Sequence, residues 1–201
     1  MIRKKQKQSK IHTQQRVYQA ALDLIATEGW TTFSLESVAR RLKIPVARVS
    51  AFFPDVYAVA QALSDDLNKR VQHSAASIGE LSLREGVFEL LITRFELMQQ
   101  NRLVFLALIT GAKADRKLAW QGVNAAHVAM RQILTLCGHD AQKSRDRLLV
   151  FGLMALYARG LCAWQQDASK DLSRTMAVID RLMARAETFS SLISPACNPL
   201  K

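Results

Sequence analysis

"SLESVARRLKIPVARVSAFF", residues 34–53, contains two short helical patterns separated by a turn. Leu35, Val38, Ala39 and Leu42 recur at i, i+3, i+4 and i+7, which puts one apolar face on a helix over 35–42. Ser34 precedes it, where a hydroxyl can accept from the open amides of the first turn. Pro45 suits the first turn of a second helix, because its φ is already helical and its missing N–H is not needed there. That helix is expected to end at about residue 52. Such a pair is a helix-turn-helix: the first helix crosses the phosphate backbone and the second enters the major groove.

The flanks continue the helical pattern. Val17, Ala20, Ala21 and Leu24 make a helix over 13–28, stopped by Gly29. After Pro54, a stripe of Val56, Val59, Ala60, Leu63, Leu67 and Val71 predicts a helix to about residue 76. "HSAASIGELS" (73–82) is a polar break, and "SLRE" (82–85) is a capping box for a helix ending near Gln99. Further helices are expected over 103–110, 115–137 (closed by Cys137-Gly138), 143–166 and 171–192. The chain therefore reads as all-α with about nine helices and no strand-like alternation. Its expected organisation is a basic flexible arm (1–12), a helix-turn-helix domain (13–55), a connecting helix and linker (56–80) and a C-terminal helical domain (81–201).

Charge points to a polyanionic partner. The formal net charge is +11, and Arg3, Lys4, Lys5, Lys7, Lys10 and Arg16 stand in the first sixteen residues with no acidic residue among them. A basic arm on a nearly balanced body suits nucleic acid or an anionic membrane surface. The three cysteines (Cys137, Cys162, Cys197) are odd in number and widely spaced, which fits reduced, mostly buried thiols of a cytoplasmic protein. "GLMALYARGLCAW" (152–164) is apolar but contains Arg159 and is shorter than the ~20 residues of a span, so a buried helix is expected and no stable membrane insertion.

Enzymatic motifs are missing. The four histidines have no metal-like spacing, and there is no glycine-rich phosphate loop and no nucleophile elbow. Neither a metal, a cofactor nor an enzymatic reaction is expected.

From Arg16 to Val59 the chain resembles the TetR family of one-component transcriptional regulators. "RVYQAALDLIATEGW" resembles that family's first helix, "TTFSLESVARRLKI" its capped second helix, and "FFPDVYAVAQAL" the junction that begins its fourth. The resemblance implies a repressor that binds double-stranded DNA as a homodimer and releases it when a small ligand shifts the population of its C-terminal arrangement. It implies a phosphate contact for Ser34 and a packing role for Phe53. Val46, Ala47, Arg48, Ser50 and Ala51 would be on the groove side. The family's usual Tyr and Lys phosphate contacts are replaced by Ser50 and Val56. Arg40, Arg41, Lys43, Arg48 and the arm lysines Lys4, Lys5, Lys7 and Lys10 offer compensating charge. Arg48 is the candidate for a bidentate guanine contact.

The C-terminal part carries a second resemblance. Trp164, Asp167, Ser169, Asp171, Thr175, Asp180 and Glu187 are similar to the end of the lipid-binding protein of ubiquinone biosynthesis, which shares the TetR fold and has no known role in gene regulation. That implies an alternative role as a lipid- or quinone-binding accessory protein. Asp167 or Ser169 also reads as a cap for the last helix. Phe88, Leu91, Phe95, Met98, Phe105, Leu108, Trp120, His127 and Met130 are either core or the lining of a pocket for a small apolar ligand. Residues 148–164 are apolar nearly all round, with Gly152, Leu156 and Gly160 assigned to one face. With Met176, Ile179, Met183 and Ala186 from the last helix they form the expected dimer interface.

Overall fold

The computed structural model describes the backbone of residues 2–76, 81–139 and 144–193, and the side chains of 13–76, 81–139 and 147–186. Among these residues every regular element is a helix: α1 (Ile2–Glu28), α2 (Leu35–Leu42), α3 (Val46–Ser50), α4 (Val56–Ala75), α5 (Leu83–Gln99), α6 (Arg102–Gly111), α7 (Arg116–Leu136), α8 (Ser144–Gln166) and α9 (Ser173–Ile193). α1 begins at Ile2, not at residue 13, because no proline or glycine interrupts the chain before Gly29. The side chains of the basic arm lie outside the described residues.

The chain forms two compact units. Residues 1–69 and 98–125 make the first, and residues 70–97 and 126–201 the second. In the first unit α1 packs on α2 and α6, and α2 packs on α3. Val17, Ile25, Val38, Val49 and Val59 are wholly buried there, and each falls on the apolar face that helical spacing gives it. Ser34 caps α2 as expected: its Oγ accepts from the Ser37 amide at 3.2 Å, and Ser37 Oγ accepts from the Ser34 amide at 3.4 Å. The helix ends with Lys43 at φ 53°, in the left-handed region, and the Ile44 amide donates back to the Ala39 carbonyl at 3.1 Å.

In the second unit α8 packs along α9. Leu91, Phe95, Met130, Trp164 and Ile179 are fully buried. The Ser82–Glu85 capping box is present: the Glu85 amide donates to Ser82 Oγ at 3.3 Å and the Ser82 amide donates to Glu85 Oε2 at 3.0 Å. Gly138 ends α7 at φ +81°.

Asp167 does more than cap a helix. Its buried carboxylate accepts from the amide and hydroxyl of Ser169 through Oδ1, and from the amide and hydroxyl of Thr175 through Oδ2. Burial pushes this carboxyl up, but the four hydrogen bonds outweigh it and hold the pKa down at about 2, against an ordinary 3.8. A depressed folded-state pKa stabilises the fold above the unfolded value, and that contribution is lost as pH falls through the folded one. Asp167→Asn keeps only one acceptor oxygen for two donor pairs and is expected to cost about 2–3 kcal/mol at neutral pH. In urea titrations the gap between wild type and variant should persist above pH 4 and close as pH falls toward 2.

Two expectations for α8 change. The helix is not buried throughout: Arg147–Gln166 is long and apolar enough to cross a membrane by length and composition, and only 33% of that stretch is buried within the chain. Gly160 faces its own unit, where an added Cβ would be 3.0 Å from a Phe95 ring carbon and 3.2 Å from Ile179 Cδ1. Gly152 has nothing within 4 Å of such a Cβ. Positions eight apart are only about 80° apart around an α-helix, yet Gly160 is buried and Gly152 exposed, so the two glycines have different surroundings. Of the residues expected at a dimer interface, Gly160 and Ile179 are buried in the protomer, Gly152 is exposed, and Leu156, Met176 and Met183 are half-buried. Cys162 is exposed, unlike the buried thiol expected, Cys137 is half-buried, and Cys197 lies outside the described residues.

Candidate nucleic-acid interface

The first unit presents α2 and α3 on a rigid support. Pro45 occupies the N-cap of α3 at φ −60°, and the Ala51 amide donates to the Ala47 carbonyl at 3.2 Å. The helix runs to Ser50, short of the expected residue 52; the Phe52 and Phe53 amides still donate to the Val49 carbonyl at 2.9 and 3.0 Å, and Pro54 has no N–H to carry the ladder further. Val49 alone of this helix is buried. Phe53 is buried and stacks on Tyr18 with ring centroids 6.0 Å apart, the packing role expected of it.

The basic residues of the motif and most other side chains of α3 are exposed. Val46, Ala47, Arg48 and Ala51 are exposed, as are Arg40, Arg41 and Lys43. Arg41 approaches Asp23 only at 3.9 Å, a long exposed pair that leaves its donors largely to solvent. Ser34 is half-buried, and capping uses a lone pair of its hydroxyl while leaving the proton available to an acceptor such as phosphate. Ser50 and Val56 are both half-buried, not exposed, and Val56 packs against the core. Lys4, Lys5, Lys7 and Lys10 have side chains outside the described residues.

The cationic ledge is thus Arg40 and Arg41 on α2, Lys43 at its C-cap and Arg48 on α3, with Leu35, Val38, Ala39 and Val49 turned inward. Guanidinium and ammonium groups on such a surface neutralise phosphates, and a guanidinium on the groove-side helix can also reach a base edge.

The expected ligand-lining residues are distributed differently. Phe88, Leu91, Phe95, His127 and Met130 belong to the second unit, whereas Met98, Phe105, Leu108 and Trp120 belong to the first. Leu91, Phe95, Met98 and Met130 are buried, and Phe88, Phe105, Leu108 and His127 are half-buried. Trp120 is 67% exposed and lines a surface groove of 320 Å³ in the first unit, with Asp55, Tyr57, Lys117, Gln121 and others. Apart from Trp120, the residues of this groove carry no motif in the sequence. Asp115, directly before α7, caps that helix by accepting from the Leu118 amide at 3.0 Å.

No family model matches the chain, and no curated protein matches it. Among solved structures, the crystal structure of a TetR transcriptional regulator from Nitrosomonas europaea is similar, with a TM-score of 0.73 and 17% sequence identity. The match covers 88% of this chain and 98% of that one. At this identity the likeness is one of fold: the chain has the all-α TetR fold.

Proposed function

We propose that the chain is a TetR-like, non-enzymatic transcriptional regulator of the cytoplasm. In this reading it is a ligand-responsive repressor that binds operator DNA as a homodimer. The observation that carries it is the exposed set Arg40, Arg41, Lys43 and Arg48 on a capped helix-turn-helix anchored inward by Leu35, Val38, Ala39 and Val49. The arm lysines add charge to the same polyanionic partner. The test is binding to duplex DNA from upstream of the chain's own gene across a salt titration. Affinity should fall linearly on a logarithmic scale by about 0.9 per phosphate contact, with the upstream duplex preferred over random sequence. Absence of salt-sensitive binding overturns the reading.

A dimer follows from α8. Leu148 and Phe151 are 73% and 62% exposed beside exposed Leu149 and open Gly152, an apolar face that a second copy would cover. Phe151→Glu should leave the protomer folded, since the side chain makes little of the core, and convert a dimer to a monomer in sedimentation. A variant that remains dimeric removes this face from the interface.

The same face of α8 favours a second reading, a lipid- or quinone-binding accessory protein that uses Leu148 and Phe151 against an apolar partner. Co-purified isoprenoid lipid without DNA binding would select it. Asp167, Ser169, Asp171 and Thr175, which carry that resemblance, already have a structural duty in the turn before α9.

A further inference from the structure

We propose that Asp115 is a positioning residue for DNA binding, because it holds both ends of the helix-turn-helix segment on a single carboxylate oxygen. This rests on the regulator reading and adds the residue on which the posture of α2 and α3 depends.

The geometry lies within the first unit. Asp115 Oδ2 accepts from Trp30 Nε1 at 2.9 Å and from the Tyr57 hydroxyl at 3.0 Å. Trp30 stands four residues before the Ser34 cap of α2, and Tyr57 four residues after Phe53, which closes the turn beyond α3. The segment that reads DNA is thus pinned at its entry and its exit to one atom. The other oxygen, Oδ1, accepts from the Leu118 amide at 3.0 Å and so caps α7.

The pin is stiff. The Trp30 ring is buried against Gly111 at the end of α6, and its centroid is 6.0 Å from Phe33 and 5.6 Å from Tyr57. Lys117 places its ammonium 3.9 Å above the Tyr57 ring and 3.5 Å from Asp55, closing the Tyr57 end from outside. The Leu118 amide, then the Trp30 indole, keep the Asp115 carboxyl below its ordinary range, so it is ionised and accepts on both oxygens.

Two acceptor oxygens are what the site requires. Asparagine at position 115 offers one acceptor and one donor. Either the Trp30 and Tyr57 donors or the Leu118 amide would then meet an N–H. Nothing else in the shape of the site changes, which separates the hydrogen-bonding role from packing.

The experiment compares wild type with Asp115→Asn, Trp30→Phe and the double variant, all confirmed folded by circular dichroism. It reads the preference for upstream over random duplex, together with hydrogen exchange of the Val49–Phe53 amides in the free protein. Asp115→Asn should lower affinity for the upstream duplex about tenfold and leave random-duplex affinity nearly unchanged. It should also speed exchange across Val49–Phe53. In the Trp30→Phe background the Asp115→Asn effect should shrink, because the donor it offends is gone and the tyrosine oxygen can accept from the amide. Unchanged preference and unchanged exchange in Asp115→Asn overturn the proposal, as does a loss shared equally by both duplexes. If wild type binds no DNA, the regulator reading fails, and the exchange measurement still decides whether Asp115 holds the segment.

Discussion

Arg48→Ala is expected to cost about 1–3 kcal/mol on the cognate duplex and far less on random sequence. The side chain is exposed on α3, a helix with only Val49 turned inward, so its removal should not disturb folding. A guanidinium at this place can present two parallel donors to one guanine, a geometry that carries sequence information. Deleting residues 1–10 should behave differently. The arm brings Arg3, Lys4, Lys5, Lys7 and Lys10, and losing their charge should weaken binding to every sequence and flatten its salt dependence by about 0.9 per lost phosphate contact. Titrations of both variants on both duplexes at several salt concentrations separate the two roles. Equal losses on all sequences for both would reject Arg48 as a base reader.

Gly111→Ala is expected to destabilise the fold by about 3 kcal/mol, the upper end of the overpacking range. Its Cβ would be 2.6 Å from Trp30 Cβ, 2.7 Å from Cδ1 and 2.8 Å from Cγ. The indole has nowhere to go, for it is buried, bonded to Asp115 at 2.9 Å and flanked by Phe33 and Tyr57. Gly122→Ala is the matched control, since its Cβ would meet nothing within 4 Å in the middle of α7. Helix propensity then favours alanine by up to about 1 kcal/mol. Opposite signs in urea midpoints support the close contact at Gly111; equal midpoints reject it.

Much of the fold is legible because its signals are local. α2 has the bounds expected of it, since Ser34 and the spacing of Leu35, Val38 and Ala39 all act within one turn or two. The Ser82–Glu85 box and Gly138 are equally local, and the helices they bound agree with expectation to within a residue or two. α8 resists such reading. It is apolar around most of its circumference, so its periodicity cannot say that Gly160 meets Phe95 while Gly152 meets nothing. The candidate cationic ledge could be picked out from residue type and motif. Asp115 could not, because its partners Trp30 and Tyr57 are 85 and 58 residues away, and no period or spacing connects them. The basic charge of 1–12 was plain in the sequence, and so was the absence of any proline or glycine before Gly29; the expected start of α1 at residue 13 followed the apolar stripe, which begins only at Val17.

Val49 is the sole inward residue of α3, and that makes the helix interchangeable at its surface. Positions 46, 47, 48 and 51 can be randomised together at little expense to stability, because exposed substitutions away from caps and cores usually stay within about 0.5 kcal/mol. A library varied at those four positions, with Val49, Phe53 and the Ser34 cap retained, should yield mostly folded members. Selection on new duplexes would then explore binding alone. On the proposed regulator reading, a short helix with one anchor would be a replaceable reading head, whose target drift could rewrite without first having to rescue the fold.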